Sequence, residues 1–199
     1  LVSAWGLRLT YNWARGWSGL DHEDWRYRDL RASSGRAYWL ISFLGIQLLP
    51  TALVFGGCLP IYAALCGPGA ASAPGLLDLG AAVITAAAVL IEAVADQQLR
   101  RHVLSRPDRG AILQRGLWGW SRHPNYFGEL LLWWGLSLFA LAASASSWWT
   151  LAGPVAMTVL FLFVSLPMIE RRMARRRPEA HADVRRRISL LVPLPPRRG

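Results

Sequence analysis

Long apolar stretches alternate with short polar ones along this chain, and the pattern predicts membrane-spanning helices. Residues 37–77 and 130–169 contain no Asp, Glu, Lys or Arg. A membrane-spanning helix needs about 20 apolar residues, so each stretch is long enough for at least one span. We therefore expect an all-α, polytopic integral-membrane helical bundle that forms a single membrane domain over residues 1–199. Its four to five spans are predicted at residues 1–15 (a partial span), 38–65, 76–99, 124–143 and 148–169, followed by a basic tail at 170–199.

Turn-forming residues and the first residue add detail to this prediction. Pro50 and Pro60 predict a kink in the second predicted span. The Gly- and Pro-containing segment 67–75 is typical of an outer loop, and residues 102–122 are predicted to form an inner loop.

The chain begins with Leu rather than Met, and residues 1–15 resemble the cytoplasmic end of a helix whose start is missing. We therefore expect an N-terminally truncated chain.

The positive charges lie in alternate connecting segments. All 22 basic residues are Arg, and the net charge is +10. Five lie in residues 14–37, six in 100–122 and ten in 170–199, whereas residues 63–77 and 143–149 contain none. This distribution follows the positive-inside rule and favours a membrane protein over a nucleic-acid-binding one. It predicts that the basic segments, including the C-terminus, lie on the cytoplasmic face.

The two cysteines, Cys58 and Cys66, show no pattern of a covalent or metal site. On one continuous helix they would lie about 12 Å apart, which is too far for a disulfide. We interpret both as apolar helix residues and expect no metal site.

A first polar group lies at the end of the predicted span 76–99. Glu92, Asp96 and Arg100 are four residues apart and share one helix face. Ionisable residues inside a membrane are costly and usually line a cavity or pathway. An interfacial helix end carrying a local Asp96–Arg100 ion pair is the alternative.

A second polar group surrounds Pro124, which fits the first turn of a helix. Asn125 and Glu129 then lie on one face of that helix, and Arg122 and His123 lie just before it. A helix N-terminus beside an Arg is suited to bind an anion. A capped helix with an interfacial Arg and His is the alternative.

A third polar group is the basic run at residues 170–177, followed by three Arg at 185–187. Such a run beside a span most often sets topology or contacts lipid headgroups, but Glu170 interrupts it at the membrane boundary. The predicted topology brings all three polar groups to one membrane face.

Several of these segments together resemble a known family. They are the sequence GLWGWSRHPNYFGE at residues 116–129, EAVADQQL at 92–99, MIERR at 168–172 and EDWRYR at 23–28. In this order they resemble the C-terminal domain of the steroid 5α-reductase superfamily, and most closely its uncharacterised bacterial membrane branch.

The resemblance implies a membrane-embedded, NADPH-dependent oxidoreductase that acts on CH–CH groups. It implies reduction of an activated C=C bond in a lipid-soluble or steroid-like substrate. It also implies an integral protein of a bacterial inner membrane, in contact with membrane lipids. The residues expected to bind the cofactor are Asn125, Glu129, Asp96, Glu92, Arg100, Arg122, His123, Tyr126, Trp133, Glu170 and Arg186.

The chain departs from the family pattern in two places. A Tyr-x-x-Tyr pair in the tail is replaced by His181 and Val184. In the steroid reductases an early-helix Glu–Tyr pair supplies the catalytic acid, and the corresponding region is absent here or reduced to the first segment, with Trp5 and Tyr11. Tyr11 is the remaining candidate for that acid.

Two other functions fit parts of the sequence. The isoprenylcysteine carboxyl methyltransferases and phospholipid methyltransferases also carry Arg-His-Pro-x-Tyr, which residues 122–126 satisfy, and they use S-adenosylmethionine. The third hypothesis is a non-catalytic membrane relative that acts as a scaffold or lipid-binding protein.

Overall fold

The computed structural model describes residues 1–17, 19, 23–69, 73–105 and 111–197, and no strand occurs among them. Parts of the basic segment 14–37 and of the predicted segments 67–75, 102–122 and 170–199 lie outside the described residues. The helices are α1 (Val2–Gly16), α2 (Trp25–Ser34), α3 (Tyr38–Ser42), α4 (Leu49–Cys66), α5 (Leu76–Leu104), α6 (Pro124–Ala143), α7 (Ala152–Leu160), α8 (Leu166–Arg176) and α9 (Pro178–Arg187).

Four helical stretches of the described chain are long and apolar enough to cross a membrane. They are Trp25–Cys66, Leu76–Leu104, Pro124–Ala143 and Ala145–Arg176. The prediction of an all-α polytopic membrane protein is confirmed. Large apolar side chains such as Phe55, Leu65 and Phe163 remain exposed on these stretches and are available to contact lipid.

Three of the four stretches extend beyond the predicted apolar limits. α5 continues past residue 99 to Leu104, α8 continues past residue 169 to Arg176, and the first stretch begins at Trp25, before residue 38. The apolar pattern marks the part of a helix inside the membrane, but the backbone hydrogen bonds continue into the polar region. α6 begins at Pro124 and ends at Ala143, as predicted.

Two spans contain a π-helical turn just before a proline. The turns lie at Phe43–Leu48, before Pro50, and at Phe161–Ser165, before Pro167. A proline ring clashes with the carbonyl four residues earlier, and the wider turn gives the ring room. The kink predicted from Pro50 and Pro60 stays a prediction; Pro50 follows the first π-helical turn, and Pro60 lies within α4.

Helix α6 is the centre of the bundle and packs most extensively against α5, with further contacts to α4 and α7. Its Leu132 and Trp133 are almost completely buried. Glycines allow this close approach: a Cβ added to Gly57 would lie 2.6 Å from Cε3 of Trp133. Close packing matters here because lipid supplies no hydrophobic force between helices.

The C-terminal tail after α9 returns across the start of α6. Ser121 and Ser189 form an isolated parallel β-bridge. The amide of Arg122 donates to the Ser189 carbonyl (2.9 Å), and the amide of Leu194 donates to the Trp120 carbonyl (3.0 Å). The segment that leads into α6 is thereby held by the tail.

Candidate functional site

A cavity of about 780 Å³ lies where the end of α5, the start of α6, α8 and α9 meet. Its size falls within the roughly 300–1,000 Å³ range of ligand-binding pockets. One part of its wall is apolar, with Leu99, Val103, Ile169 and Met173. The polar part contains Arg122, His123, Asn125, Tyr126, Glu170, Arg176, Arg177 and His181.

The polar wall is built on the N-terminus of α6. Pro124 occupies the first turn of this helix, where its missing N–H costs nothing. Just before it, the hydroxyl of fully buried Ser121 donates to the Leu191 carbonyl (2.7 Å) and accepts from the His123 amide (3.1 Å). Ser121 thus connects the tail to the residues that face the cavity.

Glu170 is the centre of the polar wall. Its carboxylate accepts from the guanidinium of Arg122. Nε2 of His123 lies 2.8 Å from Oε1, and Nε2 of His181 lies 3.2 Å from Oε2. One carboxylate therefore connects α6, α8 and α9. Burial lowers the pKa of the Arg122 guanidinium from its ordinary value, and the nearby Glu170 charge opposes this effect.

Two buried polar atoms in this wall have no hydrogen-bond partner within the described part of the chain. They are Oδ1 of Asn125 and Nε of Arg122. Buried polar groups are normally hydrogen-bonded, so both atoms are available to a ligand. Beside them, the Tyr126 ring packs edge-on against His123 (5.8 Å between centroids) and Phe161 (4.9 Å).

A second polar site, the carboxylate cluster, consists of Glu92, Asp96 and Glu129 around the guanidinium of Arg8. Arg8 contacts Glu92, lies 2.5 Å from Oδ2 of Asp96 and 3.9 Å from Oε2 of Glu129. The indole of Trp133 donates to Oε1 of Glu129 (3.0 Å). The cluster joins α1, α5 and α6.

The structure divides the predicted cofactor residues between these two sites. Arg122, His123, Asn125, Tyr126 and Glu170 line the cavity. Glu92, Asp96, Glu129 and Trp133 belong to the carboxylate cluster or contact it.

Three other candidates join neither site. Arg100 donates to the Arg15 carbonyl (3.2 Å), and Arg186 is 75% exposed and lies 3.6 Å from Asp183. Tyr11, the candidate acid, is 63% exposed, and its ring contacts the Arg15 guanidinium instead.

Sequence reasoning missed two residues, Arg8 and His181. Arg8 is the one Arg outside the basic segments. A lone charge in an apolar helix usually marks a functional site, so its isolation could have identified it. His181 occupies a position where the family pattern has a Tyr. Because it departs from the pattern, the sequence analysis did not include it as a site residue, yet its side chain contacts Glu170.

Comparisons with known proteins show the family of this chain. Residues 1–187 match a family described as "Protein of unknown function (DUF1295)". The chain is also 30% identical over 167 residues to "Uncharacterized protein C594.04c" of Schizosaccharomyces pombe, an alignment that covers 73% of the chain and 48% of that protein. The chain thus spans about half the length of this curated relative. No solved structure matches the chain significantly.

Proposed function

The chain belongs to the DUF1295 family, and we propose that it is a membrane-embedded reductase that uses NADPH to reduce an activated C=C bond in a lipid-soluble substrate. The observation that carries this proposal is the cavity of about 780 Å³, whose lining combines basic and amide side chains with apolar ones. The sequence resemblance to the steroid 5α-reductase superfamily supports the choice of cofactor and reaction.

The residues of the polar wall fit a nicotinamide dinucleotide. Arg122 and Arg176 would hold its phosphates, because guanidinium–phosphate hydrogen bonds are charge-assisted. The unpartnered Oδ1 of Asn125 would accept from an amide or hydroxyl donor of the cofactor. The Tyr126 ring would pack against one of the cofactor's rings. When bound, NADPH would supply the hydride.

The apolar wall fits a lipid-soluble substrate. Leu99, Val103 and Met173 lie on the same cavity as the polar wall, at the polar ends of α5 and α8. A chain or ring system entering from the membrane would meet the cofactor there without crossing water. In the proposed orientation, this cavity faces the cytoplasm of a bacterial cell and the protein lies in the plasma membrane.

A second candidate is a methyltransferase that uses S-adenosylmethionine. It is favoured by the position of Arg122, His123 and Tyr126, which place the shorter Arg-His-Pro-x-Tyr pattern on the cavity wall. The basic wall favours NADPH, since S-adenosylmethionine carries no phosphate.

The test is thermal unfolding of the detergent-purified chain with NADPH, NADH and S-adenosylmethionine titrated separately. A ligand at a hundredfold excess over its Kd stabilises the native state by about 2.7 kcal/mol. We expect NADPH to raise the Tm of the chain. We also expect the chain to oxidise NADPH when a lipid-soluble enone is added. Asn125→Ala should weaken NADPH binding by up to roughly tenfold, because one hydrogen bond contributes about 0.5–1.5 kcal/mol.

Asn12→Ala is the matched control, since Asn12 lies on α1 and donates to Asp96 rather than lining the cavity. Its NADPH-induced shift should equal that of the unmodified chain. A shift with S-adenosylmethionine alone would establish the methyltransferase instead. A shift with none of the three ligands would favour the non-catalytic relative.

A further inference from the structure

The carboxylate cluster brings more negative groups together than its cation balances. Glu92, Asp96 and Glu129 surround the single guanidinium of Arg8. The Arg8 side chain is 10% exposed, and the Glu92 side chain is 2% exposed. Three carboxylates and one guanidinium leave two unbalanced negative charges. A buried charge without a partner is costly, and a proton on one carboxyl group lowers that cost.

The hydrogen bonds of the cluster distinguish the three acids. Oδ2 of Asp96 accepts from Arg8 (2.5 Å) and from Asn12 (2.6 Å). Both oxygens of Glu129 accept from indole N–H groups, Oε1 from Trp133 (3.0 Å) and Oε2 from Trp5 (3.2 Å). Asp96 and Glu129 are thus surrounded by donors, as ionised carboxylates require.

Glu92 differs from both. Its Oε2 accepts from Arg8, but its Oε1 is buried and has no partner among the described residues. A bare carboxylate oxygen in that position would lose its hydration without replacement. A protonated oxygen there carries no charge and has a hydrogen to donate.

We propose that the carboxylate cluster is a proton-binding site in which Glu92 carries the proton on Oε1 at neutral pH. Oε2 of Glu129 lies 3.9 Å from the same Nη2 of Arg8 that contacts Glu92, so the two acids share one guanidinium nitrogen. The charged groups that contact Glu92 or its partners are Arg8 from α1, Asp96 from α5 and Glu129 from α6. Arg15 of α1 lies nearby and donates to the Gln97 side chain (2.8 Å).

A proton fits this site better than a metal ion does. The Arg8 guanidinium already lies among the carboxylates, and within the described ranges no group of side chains has the arrangement of a metal site. The site is also separate from the cofactor proposal, because none of Arg8, Glu92, Asp96 or Glu129 lines the cavity.

The experiment is infrared spectroscopy of the detergent-purified full chain, without cofactor, at pH 7. A protonated carboxyl group has a carbonyl-stretch band apart from those of carboxylates, and the band shifts in D₂O. We expect the unmodified chain to show this band, and Glu92→Gln to lose it. Glu179→Gln, the matched change at an exposed position on α9, should retain the band.

Absence of the band from the unmodified chain would overturn the proposal, and so would a band of full intensity in Glu92→Gln. Should Glu92→Gln fail to fold, the unmodified chain can be labelled with glutamate that carries a heavy carboxyl carbon. A shifted band then places the proton on a glutamate, and an unshifted band contradicts the proposal. Neither result depends on NADPH, so failure of the reductase proposal would remain distinguishable.

Discussion

Gly128 of α6 lies directly against Glu92 of α5. A Cβ added to Gly128 would lie 2.5 Å from Cγ of Glu92 and 3.1 Å from the Ala88 carbonyl oxygen. The absence of a side chain at Gly128 therefore lets the helix that carries the cavity wall approach the helix that carries the carboxylate cluster.

We expect Gly128→Ala to lower the free energy of unfolding by about 1–3 kcal/mol, the usual cost of overpacking a tight contact. Gly80→Ala is the control: Gly80 also lies in a helix, α5, but no atom lies within 4 Å of an added Cβ. There the substitution should stabilise by up to about 1 kcal/mol, because Ala is the better helix former. Thermal unfolding in detergent measures both, and equal effects would refute the contact.

Ser121 should contribute to stability and to cofactor binding together. Ser121→Ala leaves the Leu191 carbonyl and the His123 amide without this partner, which costs about 1–3 kcal/mol. Because His123 and Arg122 then lose their support, NADPH affinity should fall as well. Ser33→Ala removes an exposed hydroxyl that donates to the Leu30 carbonyl and should change neither quantity. Unfolding and NADPH titration of both variants provide the comparison.

Glu170→Gln tests the connection between α6, α8 and α9. The substitution removes the charge that Arg122 and the two imidazoles share. We expect a loss of about 2 kcal/mol, below the roughly 3–5 kcal/mol for a fully buried pair, because the Glu170 side chain is 18% exposed. Glu179→Gln on the exposed side of α9 should leave the free energy of unfolding nearly unchanged. Similar losses in the two variants would contradict a central role for Glu170.

The stability contributed by Asp24 should depend on pH. Asp24 caps α2 by accepting from the Arg26 amide (2.8 Å), and the hydrogen bond from the Arg26 side chain lowers the pKa of its carboxyl group. Since the native state holds this proton less tightly than the unfolded state does, the contribution is present above an ordinary pKa of about 3.9. It is lost as the pH falls through the lowered native value.

Asp24→Ala should therefore cost up to about 1 kcal/mol at neutral pH, and the difference from the unmodified chain should shrink below about pH 4. The side chain is 37% exposed, which limits the effect. Asp24→Ser keeps a capping oxygen that does not titrate, so the difference between Ser and Ala should not vary with pH. The free energy of unfolding, measured between acidic and neutral pH, tests this prediction. A difference between the unmodified chain and Asp24→Ala that stays constant with pH would disprove it.

The spans could be predicted because they depend on local properties of the chain. The limits of α6 follow from Pro124, which starts a helix, and from the apolar run that ends near Ala143. The extension of α5 to Leu104 could not be read from hydropathy, because a polar helix continues with the same backbone hydrogen bonds.

The candidate site was only partly predictable from the sequence. Asn125 and Glu129 share a helix face, yet Asn125 lines the cavity and Glu129 contacts Trp5 and Arg8. Helical spacing gives the direction of a side chain but not the element that meets it. The partners of Arg8 lie 84 and 88 residues away, so no local pattern could have identified them.

That separation also determines the order in which the protein can assemble during synthesis. Arg8 leaves the ribosome before Glu92 exists, and at about 5–20 residues per second the 84 intervening residues take on the order of 4–17 s to translate. Throughout this interval the guanidinium must be accommodated by water, lipid headgroups or the insertion machinery. Helix α1 therefore reaches its final partners only after α5 and α6 have been inserted, which makes its docking a late step in biogenesis.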